Sequence, residues 1–348
     1  LYEFGAPPLR KFSGPSSIVH DLPTTIKIKA QMNTKAVSSV GSCINSFMYN
    51  KTFPQSSTNR MTPEEYCQQK AAGSGSSFYY SFLFLPDEQR KAITALYAFC
   101  REVDDVVDEC ADEHIARIKL QWWRETMQNT YQGNPEHPVQ HALAGVIERY
   151  RVPLEYFLEI IDGMEMDLDY HRYRTFKELS LYCYRAASVV GLMAAEIFGY
   201  QDRGTQKYAY NLGMAFQLTN ILRDVREDAA RGRIYIPLDE LQRFNVDEND
   251  ILQHKTSAQV RALLEFQAQR AQEFYDKAYS LLSEQDRYAQ RTGLIMAAIY
   301  QQLLKTMAIR NFDVMGGRIS LNPFHKLWLA WNTARKEKLR HQKYLQTC

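Results

Sequence analysis

The chain has 348 residues, of which 45% are hydrophobic and 24% charged, and its formal net charge is +2. That composition excludes a wholly disordered chain and gives no electrostatic case for a nucleic-acid partner. Six cysteines without a CxxC pair make neither a disulfide framework nor a zinc site, and no run of ~18 uninterrupted apolar residues is present to span a bilayer.

Residues 1–60 differ from the rest. They hold five prolines, much Ser, Thr and Asn, and seven Lys/Arg against two acids, whereas 61–348 hold 35 Lys/Arg against 38 acids. The shift marks a boundary. Two explanations fit it: a basic, acid-poor targeting segment, which the prolines argue against, or an upstream extension foreign to the natural protein. Either way 1–60 is expected to be disordered or poorly packed, with the domain at 61–348. Thr62-Pro63-Glu64-Glu65 is a helix-start signal, with Thr62 as N-cap and Pro63 at the first helical position.

From Met61 onward apolar residues recur at i, i+3, i+4 and i+7, as in Ala92-Ala95-Leu96-Phe99-Val103 and Ile295-Ala298-Ile299-Leu303. Pro and Gly punctuate these runs. Only Arg233–Pro237 alternates with period two. The pattern predicts one all-α domain of about ten helices, without a parallel sheet or a phosphate-binding Gly loop.

Two acidic clusters fall on two of these helices: Asp104-Asp105-Val106-Val107-Asp108-Glu109 and Asp224-Val225-Arg226-Glu227-Asp228. At 100° per residue, Tyr97, Arg101, Asp104 and Asp108 share a wedge of about 60°, and Gln217, Asn220, Asp224 and Asp228 one of about 80°. Like charges at i and i+4 weaken a helix and repel each other. In the sequence only Arg101 lies near the first stripe, and Arg223 projects away from the second. A hard divalent cation is the natural compensator, and Mg²⁺ is commonly held by one or two carboxylates plus substrate phosphates. Facing carboxylate pairs across a helical bundle would hold Mg²⁺ and a diphosphate, with the 22 Tyr and 17 Phe available to line a cavity that shelters a carbocation.

The motifs Ser77–Tyr80, Tyr97–Glu109, Tyr182–Gly191 and Gln217–Asp228, the last running into Gly232–Pro237, resemble the squalene/phytoene synthase family of head-to-head prenyl synthases over roughly 63–335. Ser74–Ser77, Ile161–Asp167 and Gly317–Leu321 resemble the bacterial hopanoid-pathway branch, which makes presqualene diphosphate. Ser188 departs from the family pattern, where Gly is common.

The resemblance implies an isoprenoid-synthase-type helical bundle with a central cavity for two farnesyl diphosphates. It implies two or three Mg²⁺ ions on Asp104, Asp108, Asp224 and Asp228. Substrate contacts are expected from Ser77, Arg101, Gln217, Asn220 and Arg223, with Tyr235, Tyr300 and Arg318 at the pocket mouth. Tyr97 and Tyr182 are expected near the reacting carbons with Arg101, and Tyr182 assists a proton step. The expected product is presqualene diphosphate, formed without NADPH and passed to squalene-forming partner enzymes in a bacterial cytoplasm. The alternatives are a phytoene synthase acting on two geranylgeranyl diphosphates and a complete squalene synthase using NADPH. A nonenzymatic helical assembly factor would be expected to lose the carboxylates.

At the C-terminus, Phe324-Leu327-Trp328-Trp331-Ala334 has helical period with basic residues around it. It reads as a helix docked on the domain or as one lying in a membrane surface, the latter implying peripheral contact with the inner membrane face.

Overall fold

A computed structural model of the chain describes residues 61–73 and 78–347. The expectation for residues 1–60 and the assignment of Ser77 fall outside the described residues.

The described residues form helices α1 (Pro63–Gly73), α2 (Phe78–Phe82), α3 (Asp87–Glu109), α4 (Glu113–Tyr131), α5 (Pro138–Tyr150), α6 (Leu154–Asp169), α7 (Phe176–Cys183), α8 (Val189–Phe198) and α9 (Gly204–Ala230). They continue as α10 (Leu238–Arg243), α11 (Glu248–Leu252), α12 (Ala258–Leu281), α13 (Glu284–Arg287), α14 (Arg291–Ile309) and α15 (Pro323–Thr347). Ten of these are ten residues or longer, the number the periodicity predicts; the others are short turns of helix between them. The fold is all-α. The Arg233–Pro237 segment is extended, but it pairs only through one parallel bridge from Ile234 to Arg172.

Local chemistry explains where the helices start. At α1 the Thr62 hydroxyl accepts from the Glu65 amide at 3.2 Å, and the Glu65 carboxylate accepts from the Thr62 amide at 2.7 Å, a reciprocal cap. Asp112 caps α4 through the amides of His114 and Ile115, and Thr175 caps α7 through that of Glu178. His137, which the sequence left without a role, caps α5 by accepting from the Val139 amide.

The apolar faces build two cores. One gathers α9, α12 and α14 around Leu212, Met214, Leu263, Tyr275 and Ile295. The other gathers α3, α4, α5, α6 and α8 around Phe99, Leu120, Trp123, Phe157 and Ile160. Phe78 and Ala186 pack against both. The acid-bearing helices α3 and α9 therefore belong to different cores and look at each other across the seam.

That seam is kept narrow at one point. Tyr184–Ser188 forms a π-helical turn between α7 and α8. There α9 passes so close that a Cβ on Gly213 would lie 2.5 Å from the Ser188 Cα, and one on Gly191 would lie 2.7 Å from the Ala209 carbonyl oxygen. Ser188 is fully buried, and its hydroxyl donates to the Tyr210 carbonyl at 2.9 Å, so the departure from the family's Gly is accommodated by a hydrogen bond. The run Phe176–Phe198 is long and apolar enough to cross a bilayer by length and composition. Here it is a core element, and Tyr182, Ala186, Val190 and Ala194 on it line the cavity described next.

Candidate active site

A cavity of about 850 Å³ occupies the seam. Its wall includes every described residue assigned from the sequence: Tyr97, Arg101, Asp104, Asp108, Tyr182, Gln217, Asn220, Arg223, Asp224, Asp228, Tyr235, Tyr300 and Arg318. The positions of Tyr235 and Tyr300 need correction. Both are buried in the wall, at 7% and 4% exposure, because their rings pack with other aromatics. Arg318 alone of the three has a largely solvent-facing side chain.

The first acid cluster is held by cations. Arg101 pairs with Asp104 and also with Asp105 at 2.5 Å. Lys70, on α1, reaches Asp105 at 2.7 Å and Glu102 at 3.1 Å. Asp108 receives Arg231 at 2.8 Å, with Arg233 at 3.7 Å. On α9, Arg223 donates to both oxygens of its neighbour Asp224, through Nε at 2.7 Å, and Arg318 reaches the same carboxylate at 3.1 Å. The expectation that Arg223 points away from the acid stripe is thus overturned: its long side chain folds back along the helix. Arg231, Arg233 and Arg318 supply compensation that spacing along one helix could not reveal.

Compensation is incomplete. Loss of water in the cavity pushes the Asp104 carboxyl up to about 6 against the pull of Arg101, with Asp108, Asp105 and Asp167 adding repulsion. Asp228 rises to about 7, from burial and then from Asp224 and Asp167. Asp228 makes no salt bridge among the described residues. Asn220 Oδ1 and Glu227 Oε2, both on cavity-lining residues, are buried without a hydrogen-bond partner. Buried oxygens of this kind are costly unless something binds them.

Among the described residues no three His, Cys, Asp or Glu side chains already converge to enclose a cation. The donors available are all oxygen, and they are divided between two helices. That set suits Mg²⁺ bound through one or two carboxylates, with water and phosphate oxygens completing its shell, and it does not suit a closed nitrogen–sulfur site.

Away from the charges the cavity is apolar and aromatic. Phe78 lies 5.8 Å from Tyr97, 6.3 Å from Phe216 and 6.4 Å from Tyr300, and the Phe216 and Tyr300 rings are 5.0 Å apart. Burial holds the Tyr300 phenol above its ordinary range against the pull of Arg223. Ile93, Leu96, Met164, Leu212, Met296 and Leu303 extend the apolar wall.

Several cavity residues were not assigned from the sequence, among them Glu227, Arg231, Arg233, Lys326 and Asp167. Asp167, on α6, is 6% exposed and lines the cavity. Its carboxylate accepts from Tyr235 Oη at 2.7 Å and from Tyr182 Oη at 3.1 Å. The Tyr182 and Tyr235 rings stack at 5.1 Å, and Tyr173 stacks on Tyr235 at 5.9 Å. Burial drives the Asp167 carboxyl up to about 6, restrained by the two phenols and Arg233. The signal was present: Ile160, Gly163, Met164 and Asp167 share the buried stripe of α6, so an acid occupies an apolar position. Lys326 also lines the cavity, and burial, Arg223 and Arg318 lower its ammonium below the usual lysine range.

Comparison with known proteins agrees with this architecture. Residues 71–325 match the squalene/phytoene synthase family. A phytoene synthase from Arthrospira platensis is 37% identical over 279 residues, covering 76% of this chain and 89% of that protein. A 15-cis-phytoene synthase from Synechococcus elongatus is 34% identical over 277 residues, with the same coverage. Among solved structures, the squalene synthase HpnC from Alicyclobacillus acidocaldarius superposes with a TM-score of 0.65 at 29% identity, covering 72% of this chain and 94% of that one. A dehydrosqualene synthase solved with a ligand gives 0.69 at 27% identity, over 82% of this chain and 97% of that one. The chain belongs to the squalene/phytoene synthase family, and it is a prenyltransferase-family protein with the isoprenoid-synthase-type all-α fold.

Proposed function

We propose that the chain joins two molecules of geranylgeranyl diphosphate head to head to give a C40 phytoene-type product. The observation that carries a head-to-head synthase is the pair of carboxylate-bearing helices facing each other over one apolar, aromatic cavity. The C20 substrate is favoured by the phytoene synthases that are 34–37% identical over most of their length. Small residues in the lining, Ala186 and Ala194 among them, leave room for long chains. On this reading farnesyl diphosphate and squalene-forming partner enzymes give way to the longer substrate, and no nicotinamide is consumed, because the route ends in proton loss. The farnesyl reading stays as the second, supported by the solved squalene synthase at 29% identity.

Asp104, Asp108, Asp224 and Asp228 would hold Mg²⁺, with the Asn220 and Glu227 oxygens beside them; the metal supplies positive charge for the departing diphosphate. Arg101, Arg223, Arg318 and Lys326 bind and orient the diphosphates, since guanidinium and ammonium groups pair strongly with phosphate oxygens. The faces of Tyr97, Phe216 and Tyr300 stabilise the allylic cation left behind, and the apolar wall keeps water from it. The acceptor's C2–C3 double bond attacks that cation, and proton loss closes a cyclopropane that still carries the acceptor's diphosphate. Departure of this second diphosphate, opening of the cyclopropylcarbinyl cation and loss of a second proton, which the released diphosphate can accept, leave the C40 hydrocarbon.

A neutral phenol is a poor base. Tyr182 already donates to Asp167, so its oxygen can take the substrate proton while its own passes to the carboxylate. Asp167 is thereby the proton's final holder, and Tyr235 fixes the carboxylate's other oxygen. The testing experiment supplies geranylgeranyl and farnesyl diphosphate separately, with Mg²⁺ and with or without NADPH, and identifies products by mass spectrometry. A C40 hydrocarbon independent of NADPH is expected. A C30 product from farnesyl diphosphate alone would transfer the proposal to the second reading.

A further inference from the structure

Helix α15 has two working faces. Ala330 is fully buried, and Glu337, 7% exposed, accepts from Arg287 at 2.7 and 3.0 Å; His341 stacks on Tyr288 at 4.6 Å. That face docks the helix on the domain, as one of the two sequence expectations held. The other face has no such cover among the described residues. Phe324 is 81% exposed, Trp328 54%, Trp331 51% and Leu327 40%. At 100° per residue these four share an arc of about 100° centred well away from Ala330 and Glu337. Soluble surfaces rarely line up large apolar side chains in this way without a partner.

The charge on the same helix says what kind of partner. Arg335 and Lys338 project into the same arc, and Arg335 sits over the Trp331 ring at 5.5 Å. Lys336 and Lys343 add positive charge elsewhere on the helix, Arg340 is paired with Glu284, and the only acid on the helix, Glu337, is buried and paired. A flat row of Trp, Phe and Leu flanked by Arg and Lys, without an exposed acid, matches the boundary of an anionic bilayer: rings settle at headgroup level and cations meet lipid phosphate. The helix also begins at the cavity. Lys326, on the opposite side of the same helical turns, lines it together with Arg318 and Leu321.

We propose that the exposed face of α15 docks the protein on an anionic lipid surface, with Phe324, Leu327, Trp328 and Trp331 entering the headgroup boundary. The proposal does not rest on which prenyl chain the site accepts.

The test uses the full chain and vesicles of phosphatidylcholine with or without phosphatidylglycerol. The wild type is expected to float with the phosphatidylglycerol vesicles, more weakly at high salt, with its tryptophan emission shifted to the blue. The W328S/W331S variant, checked for an unchanged thermal melt and turnover of detergent-dispersed substrate, is expected to bind roughly tenfold more weakly or worse. R335E/K338E is expected to lose the preference for the anionic lipid. Should W328S/W331S misfold, collisional quenching of the wild type by brominated lipid decides instead, because Trp328 and Trp331 are the exposed indoles. Equal vesicle binding by wild type and W328S/W331S would overturn the proposal. So would a wild type that ignores vesicles and elutes as a dimer which W328S/W331S makes monomeric, the face then being an interface between copies. A wild type that ignores vesicles but is held by an acidic protein would assign the face to a protein partner.

Discussion

The two acid-bearing helices carry the same i, i+4 spacing but not the same electrostatic state. On α3 every aspartate has a cation: Arg101 for Asp104 and Asp105, Lys70 for Asp105 as well, and Arg231 for Asp108. On α9, Asp224 has Arg223 and Arg318, whereas Asp228 has no salt bridge among the described residues and the Glu227 Oε2 is orphaned. Charge that the protein leaves uncompensated is therefore concentrated on α9. The difference teaches that α9 has the greater need of an added cation, while α3 brings arginines that can turn to a diphosphate.

That contrast can be broken at several points. The largest effect is expected from removing metal. Chelation should suppress turnover by about 10³-fold or more, and Mg²⁺ should restore it; turnover that survives exhaustive chelation would break the assignment of the carboxylates. A second test acts on the tyrosine–carboxylate pair between the helices. Y182F and D167N are each expected to lower kcat about 10²-fold with KM changed little, and D167E to recover part of it. A D167N variant that raises KM and leaves kcat alone would place Asp167 in substrate binding instead.

Moving α9 itself should cost stability. The Cβ added by G213A meets the Ser188 Cα at 2.5 Å, backbone that cannot swing aside. A loss of about 1–3 kcal/mol in urea unfolding is expected, and an unchanged midpoint would show the seam to be looser than described. The smallest effect concerns Asp228 without metal. Its carboxyl stands near 7 in the folded chain, above its ordinary 3.8, so folding favours the protonated form. The stability it contributes is complete below pH ~4 and is lost as the pH rises through ~7. D228N should therefore melt about 2–5 °C above the wild type at pH 8 in chelator, the gap closing toward pH 4. A gap that does not change with pH would contradict the origin given for the shift.

The helical period, the two acid stripes and the cap at Thr62 could be read from the sequence because each depends on residues within one or two turns. The cavity's remaining charges could not. Arg231 lies 123 residues from Asp108, and no local spacing announces that they meet. Arg223 was misjudged because a projection places Cβ atoms and says nothing of where a long flexible side chain ends. The π-helical turn at Tyr184–Ser188 was invisible because one extra residue in a turn leaves the apolar pattern almost unchanged. Asp167 was legible but overlooked: a carboxylate in the buried stripe of α6 is itself the signal, and its partners come from Tyr182, 15 residues on, and Tyr235, 68 residues on. Chain length of the substrate is a property of cavity depth, which many residues set together, and no motif encodes it.

The central claim is that the acid clusters of α3 and α9 work as one site. It is tested most directly by comparing D104N, D224N and the double variant D104N/D224N in single-turnover assays with geranylgeranyl diphosphate. Groups that act as a unit are not additive, so each single variant is predicted to lose nearly all activity and the double variant little more. Losses that multiply in the double variant, or a single variant that retains near-native turnover, would contradict a shared site.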